Sequence, residues 1–214
     1  KLGQSKPKEA TPEQQSALAK LQEASKNLSE AELALRKELE ALVRQQVMEH
    51  LTAMIAQQRQ VRGTTENLAP RVAERRETAV QAVRRLATSE NEIVALCDKS
   101  LELTELTEFS VVLPVALRAV RDRMLSVSEN LAKGVANAEV IAVEQQIEDD
   151  LQALLDALKV ASRKPSPGQP SQCAGCKGNL NKLLAEVKML RWMQDTLHTK
   201  TEEVDAREVA DTER

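Results

Sequence analysis

A chain of 214 residues with 42% hydrophobic side chains, yet one Phe, one Trp and no Tyr, lacks the aromatic volume on which large compact cores normally draw. Six Gly and seven Pro are too few for a loop-rich or all-β protein, and 30 Lys+Arg against 33 Asp+Glu, a net charge of −3, exclude the strong single-sign field of a nucleic-acid binder. What remains to be buried is Leu, Val, Ile, Met and Ala, the material of helix–helix seams.

Residues 1–10 are polar, with Lys, Gly and Pro, and read as a disordered lead-in. Thr11-Pro12-Glu13-Gln14 is a helix start: Thr11 can cap, Pro12 stands where its missing N–H costs nothing, and Gln14 completes a capping box. Leu21, Leu28, Leu35 and Leu42 then recur every seven residues, with Leu18, Ala24, Ala31 and Leu39 between them. Val47, Leu51, Met54 and Val61 are read as continuing the stripe. The expectation is one helix over about 12–62, ended by Gly63-Thr64-Thr65 and too long to stand without a partner.

Pro70 falls near the next expected first turn, and Val72, Ala79, Val83, Leu86, Ile93, Cys97 and Leu101 mark one face of a second helix over about 69–107. A short turn between two such helices predicts an antiparallel hairpin. After Pro114, the series Leu117, Val120, Met124, Val127 and Leu131 alternates at spacings of three and four, a heptad seam. Gly134 suits a C′ position and Asn137 an N-cap, so a fourth helix follows over about 138–162, with Val140, Ile147, Leu151, Leu154 and Leu158 inward.

Residues 163–179 hold three Pro and three Gly around Cys173-Ala174-Gly175-Cys176 and form the linker of the chain. A fifth helix opens at Leu180 and carries Leu183, Val187, Leu190, Met193, Leu197 and Val204; beyond it, 205–214 reads as a solvated acidic tail. The fold class is therefore all-α: an elongated helical bundle or coiled coil of about five helices in antiparallel hairpins, with 11–162 as one region.

The segments Val140 to Leu158 (VIAVEQQIEDDLQALLDAL) and Leu183 to Thr201 (LLAEVKMLRWMQDTLHTKT), joined by a low-complexity linker, resemble the C-terminal half of uncharacterised, exported, coiled-coil-rich proteins of planctomycete-type bacteria. The resemblance covers about the last third of the chain and implies export to the periplasm or envelope and a structural or interaction role. Relatives of that kind carry plain Gly/Gln/Pro-rich linkers, so the CxxC is a departure and no metal role comes with the resemblance.

Cys173 and Cys176 are the candidate metal ligands, because two thiolates at this spacing can chelate one Zn²⁺ and the Gly between them permits the tight turn. A closed site needs four ligands, and neither a second CxxC nor a His pair lies nearby. Three readings compete: a disulfide or free dithiol in a spacer, a zinc hook completed by a second chain, and a thioredoxin-like redox site, which would want a βα turn that this sequence does not offer. Apart from Zn at that pair, no cofactor is expected.

Cys97 lies on the Ile93–Leu101 stripe and reads as a buried inert thiol; His50 and His198 read as surface or seam-edge residues, and Trp192 as a seam cover or partner anchor. Arg59, Arg62, Arg71, Arg75, Arg76, Arg84 and Arg85 gather near the first hairpin tip, but Glu66, Glu74 and Glu77 interleave with them and no aromatics stand by to stack bases. A solvated face is the better account. Glu148, Asp149 and Asp150 are consecutive on a helix and must point apart, and no grouping of Ser, His and Asp or Gly-rich phosphate loop is present, so no catalytic residue is assigned. No apolar run approaches the ~20 residues of a bilayer span. A start at Lys1 leads us to expect that an N-terminal segment has been removed.

The function expected is a non-enzymatic scaffold whose amphipathic helices bind a protein partner or a second copy, without nucleic acid. The alternative is a metal- or redox-responsive dimerisation module working through Cys173 and Cys176.

Overall fold

A computed structural model describes residues 12–107, 109–162 and 176–212, and among these every regular element is a helix: α1 (Pro12–Ala73), α2 (Glu77–Thr107), α3 (Val112–Ala132), α4 (Ala138–Ala161) and α5 (Cys176–Thr212). The all-α expectation is met. None of the described helices is long and apolar enough to cross a membrane. The chain divides into two units within α1, Lys1–Leu42 and Val43–Arg214, where the sequence had been read as one region from 11 to 162. The expected lead-in at 1–10 lies outside the described residues, as does most of the linker, 163–175.

In the first unit, residues 14–42 are helical and all their side chains are exposed except Glu40, which is half-buried. The leucines expected to form a seam, Leu18, Leu21, Leu28, Leu35, Leu39 and Leu42, are between 53% and 71% exposed.

The second unit is an up-and-down bundle. Across α1 and α2, His50 meets Ser100 (3.0 Å) and Gln58 meets Glu90 (3.2 Å); across α1 and α4, Ser162 meets Met48 (3.8 Å) and Thr65 meets Glu144 (2.9 Å). In both pairs one number rises as the other falls, the mark of antiparallel neighbours. Ser128 donates to the Ala87 carbonyl (3.3 Å) and the Cys97 thiol to that of Leu117 (3.6 Å), which sets α3 antiparallel to α2. Leu51, Met54, Ile93, Leu117, Met124, Ile147, Leu151, Leu154 and Leu158 are fully enclosed between the four helices. The fifth helix packs on α3 and α4: Glu186 accepts the Val112 N–H (3.0 Å) and the Trp192 indole donates to Asp150 (3.0 Å).

The first helix does not end at Gly63. It runs ten residues further, to Ala73, because the inward series Leu51, Met54, Gln58, Val61, Thr65, Leu68 and Val72 keeps its three–four spacing and is buried or half-buried throughout, while an interior Gly costs only about 1 kcal/mol. Pro70 accordingly lies inside α1, and Val72 belongs to α1 rather than α2. The turn is Glu74-Arg75-Arg76. There Arg76 N–H reaches the Arg71 carbonyl (3.0 Å) and Arg75 N–H that of Val72 (2.8 Å), the bond pair of a Schellman motif. The left-handed position is held by Arg75 at φ 57°, a residue with no special preference for it.

The α3–α4 turn repeats the motif with the residue the sequence led us to expect. Gly134 has φ 77°, Val135 N–H bonds to Asn130 O (3.0 Å) and Gly134 N–H to Leu131 O (2.8 Å). Asn137 then caps α4 by accepting the Val140 N–H (2.9 Å). At the start of α3, Ser110 Oγ accepts the Leu113 N–H (3.0 Å), and Pro114 stands in the first turn, where no donor is missed. Helix α5 begins at Cys176 rather than Leu180 and continues to Thr212 rather than fading after Val204. No proline follows Pro170, and the Ala206, Arg207, Glu208 and Ala210 run consists of strong helix formers, so a charged composition does not end the helix.

Candidate functional site

The inward faces of the second unit are not wholly apolar. On α1, Gln58 follows Met54 and precedes Val61, and Thr65 follows one turn later; on α2, Glu90 stands between Leu86 and Ile93; on α4, Glu144 stands between Val140 and Ile147. Each occupies a position where the three–four spacing calls for a hydrophobe, and each is completely buried. Gln58 Nε2 donates to Glu90 Oε2 (3.2 Å). Thr65 Oγ1 lies 2.9 Å from Glu144 Oε1 and 3.0 Å from the Val61 carbonyl. A hydroxyl has one proton to give, so Thr65 serves one of these two oxygens at a time, and it is the only hydrogen-bond partner of Glu144 among the described residues.

Burial drives both acids in the same direction. It pushes Glu90 up to about 8, opposed by the Gln58 hydrogen bond and reinforced by the charge of Glu144. It pushes Glu144 up to about 7, opposed by Thr65 and by Arg62. Among the described residues, Glu90 Oε1, Gln58 Oε1 and Glu144 Oε2 meet no donor, which is the environment of a carboxylic acid retaining its proton. The chemistry this layer supports is proton holding and register selection: polar seam residues match only when the helices are correctly aligned. Among the described residues no group of three His, Cys, Asp or Glu side chains could hold a metal ion.

The acidic triplet on α4 diverges as its spacing requires. Glu148 turns to α1, where Arg62 Nε (2.5 Å) and Arg59 Nε (3.4 Å) approach it; this hydrogen bond, with Glu66 adding a second, raises Arg62 above the ordinary guanidinium range. Asp149 is exposed. Asp150 turns to α3 and α5, paired with Arg123 and accepting from Gln146 (2.8 Å) and Trp192 (3.0 Å). Burial pulls the Arg123 guanidinium below its usual range.

Of the residues singled out from sequence, Cys173 lies outside the described residues, and Cys176 is the first residue of α5, where the pair was expected to sit outside regular helix. Cys97 is fully buried and its thiol is pushed up to about 12 by that burial, as its place on the stripe suggested. His50 is a seam-edge residue, held 3.0 Å from Ser100 Oγ and lowered by burial and then by Lys99. His198 is exposed and lies 3.3 Å from Glu202. Near the first turn, Arg62 pairs with Glu66 (2.6 Å) and Arg76 with Glu74 (2.6 Å), so the arginines and acids interleave as expected.

The residues that sequence reasoning passed over are Gln58, Glu90 and Glu144. Their signal was available: a polar side chain on the inward phase of an otherwise apolar series. No family model, no curated protein and no solved structure matches this chain.

Proposed function

We propose that the chain is a non-enzymatic interaction scaffold, in which the bundle of residues 43–214 is the folded platform and the leucine stripe of α1 before Val43 is the contact surface for a second copy. The observation that carries this reading is the exposure of Leu21, Leu28, Leu35 and Leu42, each more than 60% accessible and spaced by seven residues. A seven-residue apolar repeat is the pattern of a coiled-coil seam, and a helix bearing one gains stability by burying it against another helix. The flanking charges favour a like partner over a strongly charged one. Lys20, Lys26, Arg36 and Lys37 alternate with Glu23, Glu30, Glu32, Glu38 and Glu40, so two copies can lie together without a net repulsive field.

Light scattering over a concentration series tests this. The wild type is expected to give at least a dimer mass, and Leu28→Lys combined with Leu35→Lys a monomer with unchanged helix content of the bundle. A wild type that stays monomeric at the highest concentration reached, or a double variant that still associates, overturns the reading.

A further inference from the structure

Between α3, α4 and the Trp192–Thr199 stretch of α5 lies a cleft of about 840 Å³, within the roughly 300–1,000 Å³ that holds small ligands. Its walls are mixed, and their apolar part is firmly seated: Val127 and Val140 belong to the buried core, and Val135, Val143 and Trp192 pack against it, with polar and charged side chains around them. The indole of Trp192 is fixed by its hydrogen bond to Asp150 (3.0 Å). Arg123, the only cation lining the cleft among the described residues, is paired with Asp150, so that ion pair presents almost no net charge.

The other charged lining residues among those described are all acids: Glu139 and Asp149 on α4 and Asp195 on α5, each exposed. Asp149 is met by the neutral amide of Gln145 (3.0 Å) and Asp195 only loosely by Arg191 (3.9 Å). An anion entering here would face three carboxylates, and a neutral apolar molecule would strip water from them without compensation. An ammonium group satisfies the rim, its carbon body satisfies the valines, and the indole adds attraction for a cation over its face.

We propose that this cleft binds an organic cation with an apolar body, an amine in its ammonium form. Glu139 and Asp149 are ten residues apart on α4, about 15 Å along the helix, so a long diamine can engage both ends. This site is separate from the leucine stripe of α1 and does not rest on self-association.

Trp192 is the sole tryptophan, so its emission reports on the cleft alone. Titration with 1,8-diaminooctane is expected to change that emission saturably, 1,8-octanediol more weakly, and octanedioate not at all. Glu139→Gln with Asp195→Asn should weaken diamine binding about tenfold, as expected for removing two partly solvated charge contacts. Asp156→Asn, an exposed acid of α4 that does not line the cleft, should leave the affinity unchanged. Raising the salt should weaken the diamine and spare the diol, a readout that needs no variant. The proposal is overturned by an octanedioate affinity equal to the diamine's, by the absence of saturable binding of the diamine, by salt-insensitive diamine binding, or by equal losses in the Asp156 variant and the double variant.

Discussion

Glu90 sits in the bundle with no exposed surface and with Oε1 facing no donor among the described residues, so the folded state keeps a proton that the unfolded chain gives up. Its folded value of about 8 lies above the ordinary 4.5. The stabilisation from this group is therefore complete below about pH 4.5 and is lost as pH rises toward 8, with a slope of at most about 1.4 kcal/mol per pH unit. Glu90→Gln, which retains the shape without the charge, is expected to match the wild type in urea midpoint at pH 5 and exceed it at pH 8. A residual slope from Glu144 remains up to about pH 7. Equal pH dependence in the two proteins would show that Glu90 is ionised when folded. At this scale the sequence was legible in part. The divergence of Glu148, Asp149 and Asp150 follows from 100° per residue alone, and the burial of Cys97 follows from its stripe. Glu90 and Glu144 were hidden by the expectation that a charge marks an outer face.

Among the elements, Gly63 and Arg75 show where local signals mislead. Gly63 reads as a helix stop but lies in the interior of α1, with nothing within 4 Å of an added Cβ; Gly63→Ala should raise the melting temperature, by the equivalent of about 0.5–1 kcal/mol. The residue that does turn the chain, Arg75, carries no such signal because most side chains avoid positive φ. Arg75→Gly should stabilise by up to about 1 kcal/mol in denaturant titration. Gly134 is the converse case, since a Cβ there would strike Val80 Cγ1 at 2.6 Å and the backbone has φ +77°. Gly134→Ala should destabilise by about 1–3 kcal/mol. The α3–α4 hairpin was legible because its Gly and Asn both stand where geometry demands them. The expected seam of Leu117, Val120, Met124 and Leu131 against Ile147, Leu151, Leu154 and Leu158 is fully buried. Leu151→Ala should accordingly cost about 2–5 kcal/mol, and an unchanged melting curve would contradict its place in the core.

For the molecule as a whole, helix-rich composition and short turns announced an antiparallel helical protein, and the scarcity of aromatics is consistent with a core built mainly of interdigitated aliphatic seams, with Phe109 buried in it and Trp192 packed against it. The division at Leu42 and Val43 was not recognised, although a change of phase marks it. The seven-residue series Leu21, Leu28, Leu35 and Leu42 would next fall on Glu49, which is exposed, whereas burial begins at Val43 and follows Val47, Leu51 and Met54. Read as one stripe, two separate apolar series were merged. The arrangement of α5 was less legible, because its contacts with Asp150 and Val112 join residues 42 and 74 positions apart, and no local pattern encodes such pairings.

That single helix α1 thus holds two populations of backbone amides. In deuterium exchange, those of 14–42 should label by local fraying and those of 47–72 only when the bundle opens. Mass spectra of an N-terminal peptide and a mid-helix peptide from one sample should then differ in uptake by orders of magnitude, despite uninterrupted hydrogen bonding between them. If chains associate through the leucines, dilution will speed labelling of the first peptide and leave the second untouched.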